Sequence, residues 1–325
     1  MSLDLNIPDT ELDRYRDAVN PARHVRAISA YEFSTVASLL RPGALFGGDA
    51  LPWPKTHGKF AFRKGEVTLW HGINGHGKSA VTTQVAAYLA TQDKKSCLAS
   101  FEMLPVMTCQ RMVKQVAGNG MPTESFAKSF FAAFKGRIWL YDRRDRVDRR
   151  ALYAVIRYTA IELGVEHFWI DSLMKCVAGE DDYNGQKDFV GDLCSLSHEL
   201  NIHIHLVHHV RKSGDEKAIP SKFDAKGSGA ITDQVDNVLA VWRNKGKEAA
   251  IASGKTTDGD GGPLADKPDF LLICDKQRNG GWEGRIALWG DLESWHFRES
   301  SALPFSRGYV LPDPIREPGQ DEEAA

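Results

Sequence analysis

Residues 66–79 read Glu66-Val67-Thr68-Leu69-Trp70-His71-Gly72-Ile73-Asn74-Gly75-His76-Gly77-Lys78-Ser79. A short apolar, β-branched run leads directly into the spacing G-x-x-x-x-G-K-S, and an apolar stretch of helical character follows from Ala80. Strand, glycine-rich turn and helix in that order form a phosphate cradle. The glycines let successive backbone N–H groups curl around an anion at the start of a helix whose dipole favours negative charge. Lys78 is placed to reach the β/γ-phosphates and the Ser79 hydroxyl to hold Mg²⁺, so a nucleoside triphosphate with Mg²⁺ is the expected cofactor. The residues assigned to the cradle are Gly72, Asn74, Gly75, His76, Gly77, Lys78, Ser79 and Ala80.

Outward from this motif, apolar runs alternate with helical patterns. Strands are expected at 66–70, 96–101, 137–141, 167–170 and 202–208, with helices at 80–90, 106–117, 149–163 and 186–200 between them. That alternation predicts an α/β fold with a doubly wound, mainly parallel sheet covered by helices on both faces. Three further runs, 235–242, 270–274 and 284–288, have no long helix between them and predict an antiparallel extension of the sheet. The Gly-, Asp- and Lys-rich stretch between 244 and 268 reads as a mobile insertion. Residues 1–60 read as an arm with an amphipathic stretch at 31–40, 61–300 as the main domain, and 301–325 as an acidic, disordered tail.

Composition narrows the setting. The chain of 325 residues has 42% hydrophobic and 26% charged residues and a formal charge of −2, which supports a large core and excludes a broadly basic nucleic-acid coat. No apolar run approaches the roughly 20 residues needed to span a bilayer, and no signal peptide opens the chain, so a cytoplasmic protein without membrane contact is expected. Five scattered cysteines without C-x-x-C suggest neither a disulfide framework nor a zinc site.

Hydrolysis requires carboxylates beside the phosphates. Asp171 ends the run Phe168-Trp169-Ile170, a position suited to holding Mg²⁺. Glu102 ends the run 97–101, from which a carboxylate can orient and deprotonate the attacking water. In an open α/β sheet the ligand crevice lies at the carboxyl ends of the strands, where both acids fall.

Taken together, Gly72 to Ser79, Ser100-Phe101-Glu102-Met103, Trp169-Ile170-Asp171, His208-His209-Val210-Arg211 and Lys226-Gly227-Ser228-Gly229-Ala230 resemble, in order and spacing, the RecA-like motor domain of ring-shaped DnaB-type replicative helicases. The likeness to phage primase-helicases and the related mitochondrial helicase is strongest, and it runs over residues 65–295. Asp236-Asn237-Val238 and Trp242-Arg243-Asn244 after the G-S-G-A element make it more specific than the phosphate loop alone. The resemblance implies a replicative-type, NTP-driven DNA helicase. Such an enzyme forms a hexameric homo-oligomer, moves 5′ to 3′ on single-stranded DNA, and works beside a polymerase, primase or single-strand-binding protein. It further implies that Glu102 is the base, Asp171 the Mg²⁺ ligand and His209 the γ-phosphate sensor that couples to DNA. Lys276-Gln277-Arg278 resembles the family's Lys-x-Arg element, with Arg278 an arginine finger acting in the neighbouring subunit's site. The arm at 31–40 would dock on that neighbour.

DNA contact is expected from the loop after the fifth strand, where Arg211, Lys212, Lys217, Lys222, Lys226 and the backbone N–H groups of Gly227 and Ser228 would grip phosphates without reading sequence. Lys226 stands where the family pattern has arginine, which keeps the charge and loses a bidentate contact. Other readings stay open: Lys276 and Arg278 alternate along a strand and suit a solvated face equally well. His203 and His205 share a strand face, and edge or interface histidines explain them better than a metal does. Trp289 stands where the phage relatives carry an aromatic that stacks on the base, and a surface-packed tryptophan is the alternative. A RecA-like plasmid-replication or recombination ATPase that binds DNA without unwinding it, or a nucleotide-dependent loader or regulator, would carry most of the same motifs.

Overall fold

The computed structural model describes residues 47–143, 147–179, 182–209, 219, 229–302 and 308–315. The elements are β1 (Val67–His71), α1 (Lys78–Thr91), β2 (Ser96–Ser100), α2 (Pro105–Ala117), α3 (Glu124–Phe134), β3 (Ile138–Leu140), α4 (Arg149–Glu162), β4 (His167–Asp171), α5 (Tyr183–Leu200), β5 (His203–Val207), α6 (Gly229–Gln234), β6 (Asn237–Arg243), α7 (Lys245–Ala252), β7 (Phe270–Gln277), β8 (Gly284–Asp291) and β9 (His296–Arg298).

One sheet of nine strands runs in the order β3-β2-β4-β5-β1-β6-β7-β8-β9. The first six positions are parallel and the last three antiparallel. This is the expected RecA-like, doubly wound sheet with an antiparallel extension. The central strands are apolar on both faces, because helices cover both sides. On one face Val67, Leu69, Phe168, Ile170, Ile204 and Leu206 pack against α4 and α5 residues such as Leu152 and Leu193. On the other, Trp70, Leu98, Trp169, Val207 and Leu239 meet α1 and α2 through Val81, Val85 and Met112.

The second face also holds a buried polar network. His167, His203 and His205, which start β4 and lie on β5, are each at most 1% exposed. Trp70 Nε1 can only donate, so His205 Nδ1 accepts from it at 3.2 Å. His205 Nε2 then carries the proton facing His167 Nδ1 at 3.1 Å, and His167 Nε2 faces the Asp49 carboxylate at 3.0 Å. His203 Nδ1 donates to Arg63 O at 2.6 Å and its Nε2 accepts from the Thr68 hydroxyl at 2.8 Å. The edge or interface placement expected for His203 and His205 is therefore corrected. β5 lies between β4 and β1, and the imidazoles serve as hydrogen-bonded core groups. Among the described residues no cluster of His, Cys, Asp or Glu could hold a metal ion.

The stretch read as a mobile insertion contains α7, because Asn244 caps it by accepting from Lys247 N at 2.9 Å. Lys247 is buried, with its ammonium on Lys267 O and Asp269, each at 2.6 Å. Part of the segment read as an arm, Leu51, Trp53 and Phe60, belongs to the core. Trp53 Nε1 donates to Phe297 O at 3.0 Å. Residues 308–315, placed in the tail by sequence, lie against α1 and α2: Tyr309 N donates to Val116 O at 2.8 Å, and Leu311 packs on the core. Residues 31–40 lie outside the described residues. Among those described, no helix is long and apolar enough to cross a membrane.

Candidate functional site

At the carboxyl end of β1 the chain turns through Gly72 to Gly77 into α1. A Cβ at Gly72 would run into the Val241 carbonyl on β6, and Gly77 caps α1 in the left-handed region at φ 85°, with a Cβ there only 3.1 Å from the Phe270 ring. A side chain at either position would clash with these neighbours and displace the loop. Lys78 is 5% exposed and donates to Gly72 O at 2.8 Å and Ile73 O at 3.1 Å, and burial lowers its pKa to about 8 despite the neighbouring Asp171 and Glu102 carboxylates. Its ammonium thus rests on the loop's own carbonyls.

Asn74, Gly75, Gly77, Lys78, Ser79 and Ala80 line a cleft of about 490 Å³ together with Glu102, Arg111, Met174, His209 and Trp295. His76 does not point into it: 1% exposed, its Nδ1 accepts from Arg243 N at 3.2 Å beneath the loop. Three strand ends bring the charged groups together. Glu102 follows β2, Asp171 ends β4, and His209 follows β5 by two residues. Ser100 and Asp171 are in register across β2 and β4, and Asp171 and Val207 across β4 and β5, which fixes the three at one level.

Burial raises the Asp171 pKa, although a hydrogen bond from Ser79 opposes the shift. Its Oδ1 is buried without a hydrogen-bond partner among the described residues. A carboxylate kept dry beside a serine hydroxyl fits a hard divalent cation, which is the test that Mg²⁺ at Ser79 and Asp171 has to meet. Glu102 differs. His209, with Nε2 at 3.5 Å from Oε1, and the Ser172 hydroxyl, at 2.9 Å from the same oxygen, pull its pKa down to about 2.

Arg111 on α2 was missed by sequence reasoning, since an arginine inside an amphipathic helix looks like a solvated face. Its Nη1 is buried without a partner among the described residues, its guanidinium carbon lies 5.9 Å over the Trp295 ring, and burial lowers its pKa against the attraction of Asp171. Arg243 approaches the other boundary of the cleft, 5.7 Å over Trp295, while its side chain is held by Glu248. The aromatic at the cleft is therefore Trp295. Trp289 is not among the residues lining the cleft and instead donates to Ala265 O at 3.1 Å, which fits the surface-packed alternative. The signal for Trp295 lay six residues on, in a turn where its φ is 56° and its carbonyl accepts from Gln115 Nε2 on α2 at 2.9 Å.

Lys276 and Arg278 are not in this cleft. Lys276 Nζ donates to Thr232 O, Asp233 O and Val235 O at 2.8, 2.9 and 2.8 Å, and Arg278 to Asp233 O and Gln234 O at 2.8 and 3.1 Å. Arg211, Lys212, Lys217, Lys222, Lys226, Gly227 and Ser228 lie outside the described residues.

Comparison with known proteins agrees with this fold. Residues 54–215 match the family described as AAA domain. The fold is similar to that of a solved ATPase domain, with a TM-score of 0.70 and 14% identity over 85% of this chain and 99% of that one. It is also similar to a DnaB-like replicative helicase solved in a study of its interactions with primase, with a TM-score of 0.67 and 15% identity over 84% of this chain and 67% of the other.

Proposed function

With residues 54–215 matching the AAA-domain family and the described fold similar to those of a solved ATPase domain and a DnaB-like replicative helicase, we propose that the chain is an NTP-driven motor that moves along single-stranded DNA and separates duplex as a ring, with six subunits. The observation that carries this reading is the contact of His209 with Glu102 at 3.5 Å. His209 leads straight into the sequence that holds Arg211, Lys212, Lys217, Lys222 and Lys226. A strand end that touches the candidate base and continues into a basic segment links hydrolysis to a phosphate backbone.

In this reading the backbone of Asn74 to Lys78 holds the phosphates. Lys78 leaves the Gly72 and Ile73 carbonyls for the β/γ-phosphates, and the Trp295 ring with the Arg243 guanidinium bounds the base side. Ser79 and Asp171 would hold Mg²⁺, which supplies charge neutralisation on the phosphate oxygens when bound. Glu102 takes the proton of the attacking water. Arg111 reaches the triphosphate from within the same subunit, and Arg278 reaches it from the neighbour, where an arginine is worth about 10³ to 10⁵ in rate. Partners on this reading are single-stranded DNA and further copies of this chain, with a polymerase, primase or single-strand-binding protein beside the ring. ATP is the first nucleotide to test among NTPs and dNTPs.

Hydrolysis measured with and without single-stranded DNA, alongside separation of a forked duplex, tests the proposal. Stimulated turnover with strand separation is expected. Turnover indifferent to DNA would remove the motor reading and leave an NTPase of another role.

A further inference from the structure

Glu102 belongs to no regular element and is 41% exposed in its side chain, so its own backbone does little to orient it. A general base works only when one oxygen sits within hydrogen-bond reach of the proton it takes, about 2.6–3.2 Å. Something must therefore fix the carboxylate. The Ser172 hydroxyl donates to Glu102 Oε1 at 2.9 Å. Ser172 is 0% exposed, and its carbonyl accepts from Lys175 N at 3.1 Å to begin the 3₁₀ turn Leu173–Lys175. A rigid hydroxyl at the end of β4 thus meets a loosely held carboxylate at the end of β2. His209 approaches the same oxygen, and it is two residues past the end of β5 and 24% exposed in its side chain, the less fixed of the two donors.

We propose that Ser172 is the positioning residue for Glu102: its hydrogen bond holds Oε1 and leaves Oε2 as the oxygen that faces the attacking water in the cleft. The inference rests on the reading of Glu102 as the base. It assigns a role to a residue that touches neither phosphate nor water and whose side chain has its contact of consequence with Glu102. Removing the hydroxyl should not disturb nucleotide binding, because Ser172 is absent from the lining of the cleft.

The test is a double-mutant cycle on the full-length chain, with steady-state and single-turnover NTP hydrolysis for wild type, Ser172→Ala, Glu102→Gln and the pair. Ser172→Ala is expected to lower kcat roughly 10- to 100-fold with KM within about twofold, the size of effect that small misplacement of a reacting group produces. On the Glu102→Gln background the same change should have no further effect, since a residue that acts through Glu102 has nothing left to position. An equal loss in both backgrounds, or no loss in wild type, overturns the inference. Should Glu102→Gln itself turn over like wild type, the reading of the base fails instead. The positioning claim is then decided by the crystal structure of Ser172→Ala: a rotated Glu102 carboxylate upholds it, and an unmoved one overturns it.

Discussion

Arg278 Nη1 lies 3.2 Å from Asp236 Oδ1, and Arg278 N donates to Asp236 O at 2.8 Å. The residue that resembles an arginine finger is thus tied, with Lys276, to the carboxyl end of α6 in its own subunit. Cations suit that position because the last carbonyls of a helix lack partners and carry partial negative charge. Lys276 is half-buried there, whereas the Arg278 side chain stays exposed, as the solvated-face alternative has it. For the finger reading to hold, the guanidinium has to leave those carbonyls for a neighbour's phosphate. Arg278→Ala should then lose at least about 10³ in hydrolysis while binding a fluorescent nucleotide analogue within a few-fold of wild type. Mixed with Glu102→Gln, it should regain activity at interfaces where an intact base meets an intact arginine. A mixture that assembles and stays inactive would place Arg278 in the capping role alone.

Trp295 and Trp289 offer a clean comparison within one strand–turn unit. Trp295 lines the cleft between two guanidiniums, whereas Trp289 spends its N–H on Ala265. Stacking of an aromatic with a base or a cation is worth about 1 kcal/mol or more. Trp295→Ala is therefore expected to raise the nucleotide KM about fivefold or more with kcat little changed, and Trp289→Ala to leave KM alone. Nucleotide titration of the two variants measures this, and equal effects would separate the tryptophan from the base side of the cleft.

What sequence made legible follows from the range of the interactions involved. The phosphate loop, Glu102 and Asp171 stood out because strand-end position and residue type fix their chemistry locally. The strand boundaries were readable because two covered faces make each strand a continuous apolar run. Arg111 and Ser172 were invisible for the opposite reason. Their contacts, Trp295 and Glu102, lie 184 and 70 residues away in the chain, and an arginine in a helix or a serine after an aspartate carries no local sign. The helix α7 was lost to its composition: Lys245 to Ala252 has a weak apolar face, and its stability rests on the Asn244 cap and the buried Lys247, both tied to residues beyond the helix. Histidines on β5 looked polar enough for an edge, and only the sheet order puts them in the middle.

The segment 308–315 should behave as part of the folded unit. Gln84, fully buried on α1, donates to Tyr309 Oη at 2.6 Å and to Phe297 O at 2.8 Å, and the Tyr309 ring lies 5.5 Å from Tyr88 and 5.3 Å from His296. Burial raises the Tyr309 pKa. Tyr309→Phe removes one of the two acceptors of Gln84 and is expected to cost about 1 kcal/mol. Tyr309→Ala also loses the ring and should cost about 2 to 4 kcal/mol. Urea unfolding of both variants checks the order, and a Tyr309→Ala protein as stable as wild type would mean that the segment does not hold α1.

Acid sensitivity should trace to the histidine network. Burial, reinforced by the nearby His167, lowers His203 to about 3 from the usual 6.5, and burial places His205 well below its ordinary value. Between those two limits the unfolded chain binds more protons than the folded one, so stability rises with pH across that window. The contribution is complete above about pH 6.5 and is lost progressively as pH falls toward 3. The charged groups facing the network act in the same sense or stay ionised. Burial works against it, but His167 and Lys94 hold Asp49 below the usual carboxylate range, so its share is also lost in acid, and Lys94 pairs with Asp49 at 3.0 Å and Glu166 at 3.4 Å. From pH 7 to pH 5 each fully depressed histidine should cost about 2 kcal/mol. His203→Asn keeps a donor for Arg63 O and removes the imidazole. It should be less stable than wild type at pH 7 and flatter between pH 7 and 5, as read from urea midpoints. A wild-type midpoint that stays constant over that range would show that these imidazoles are not held neutral by the core.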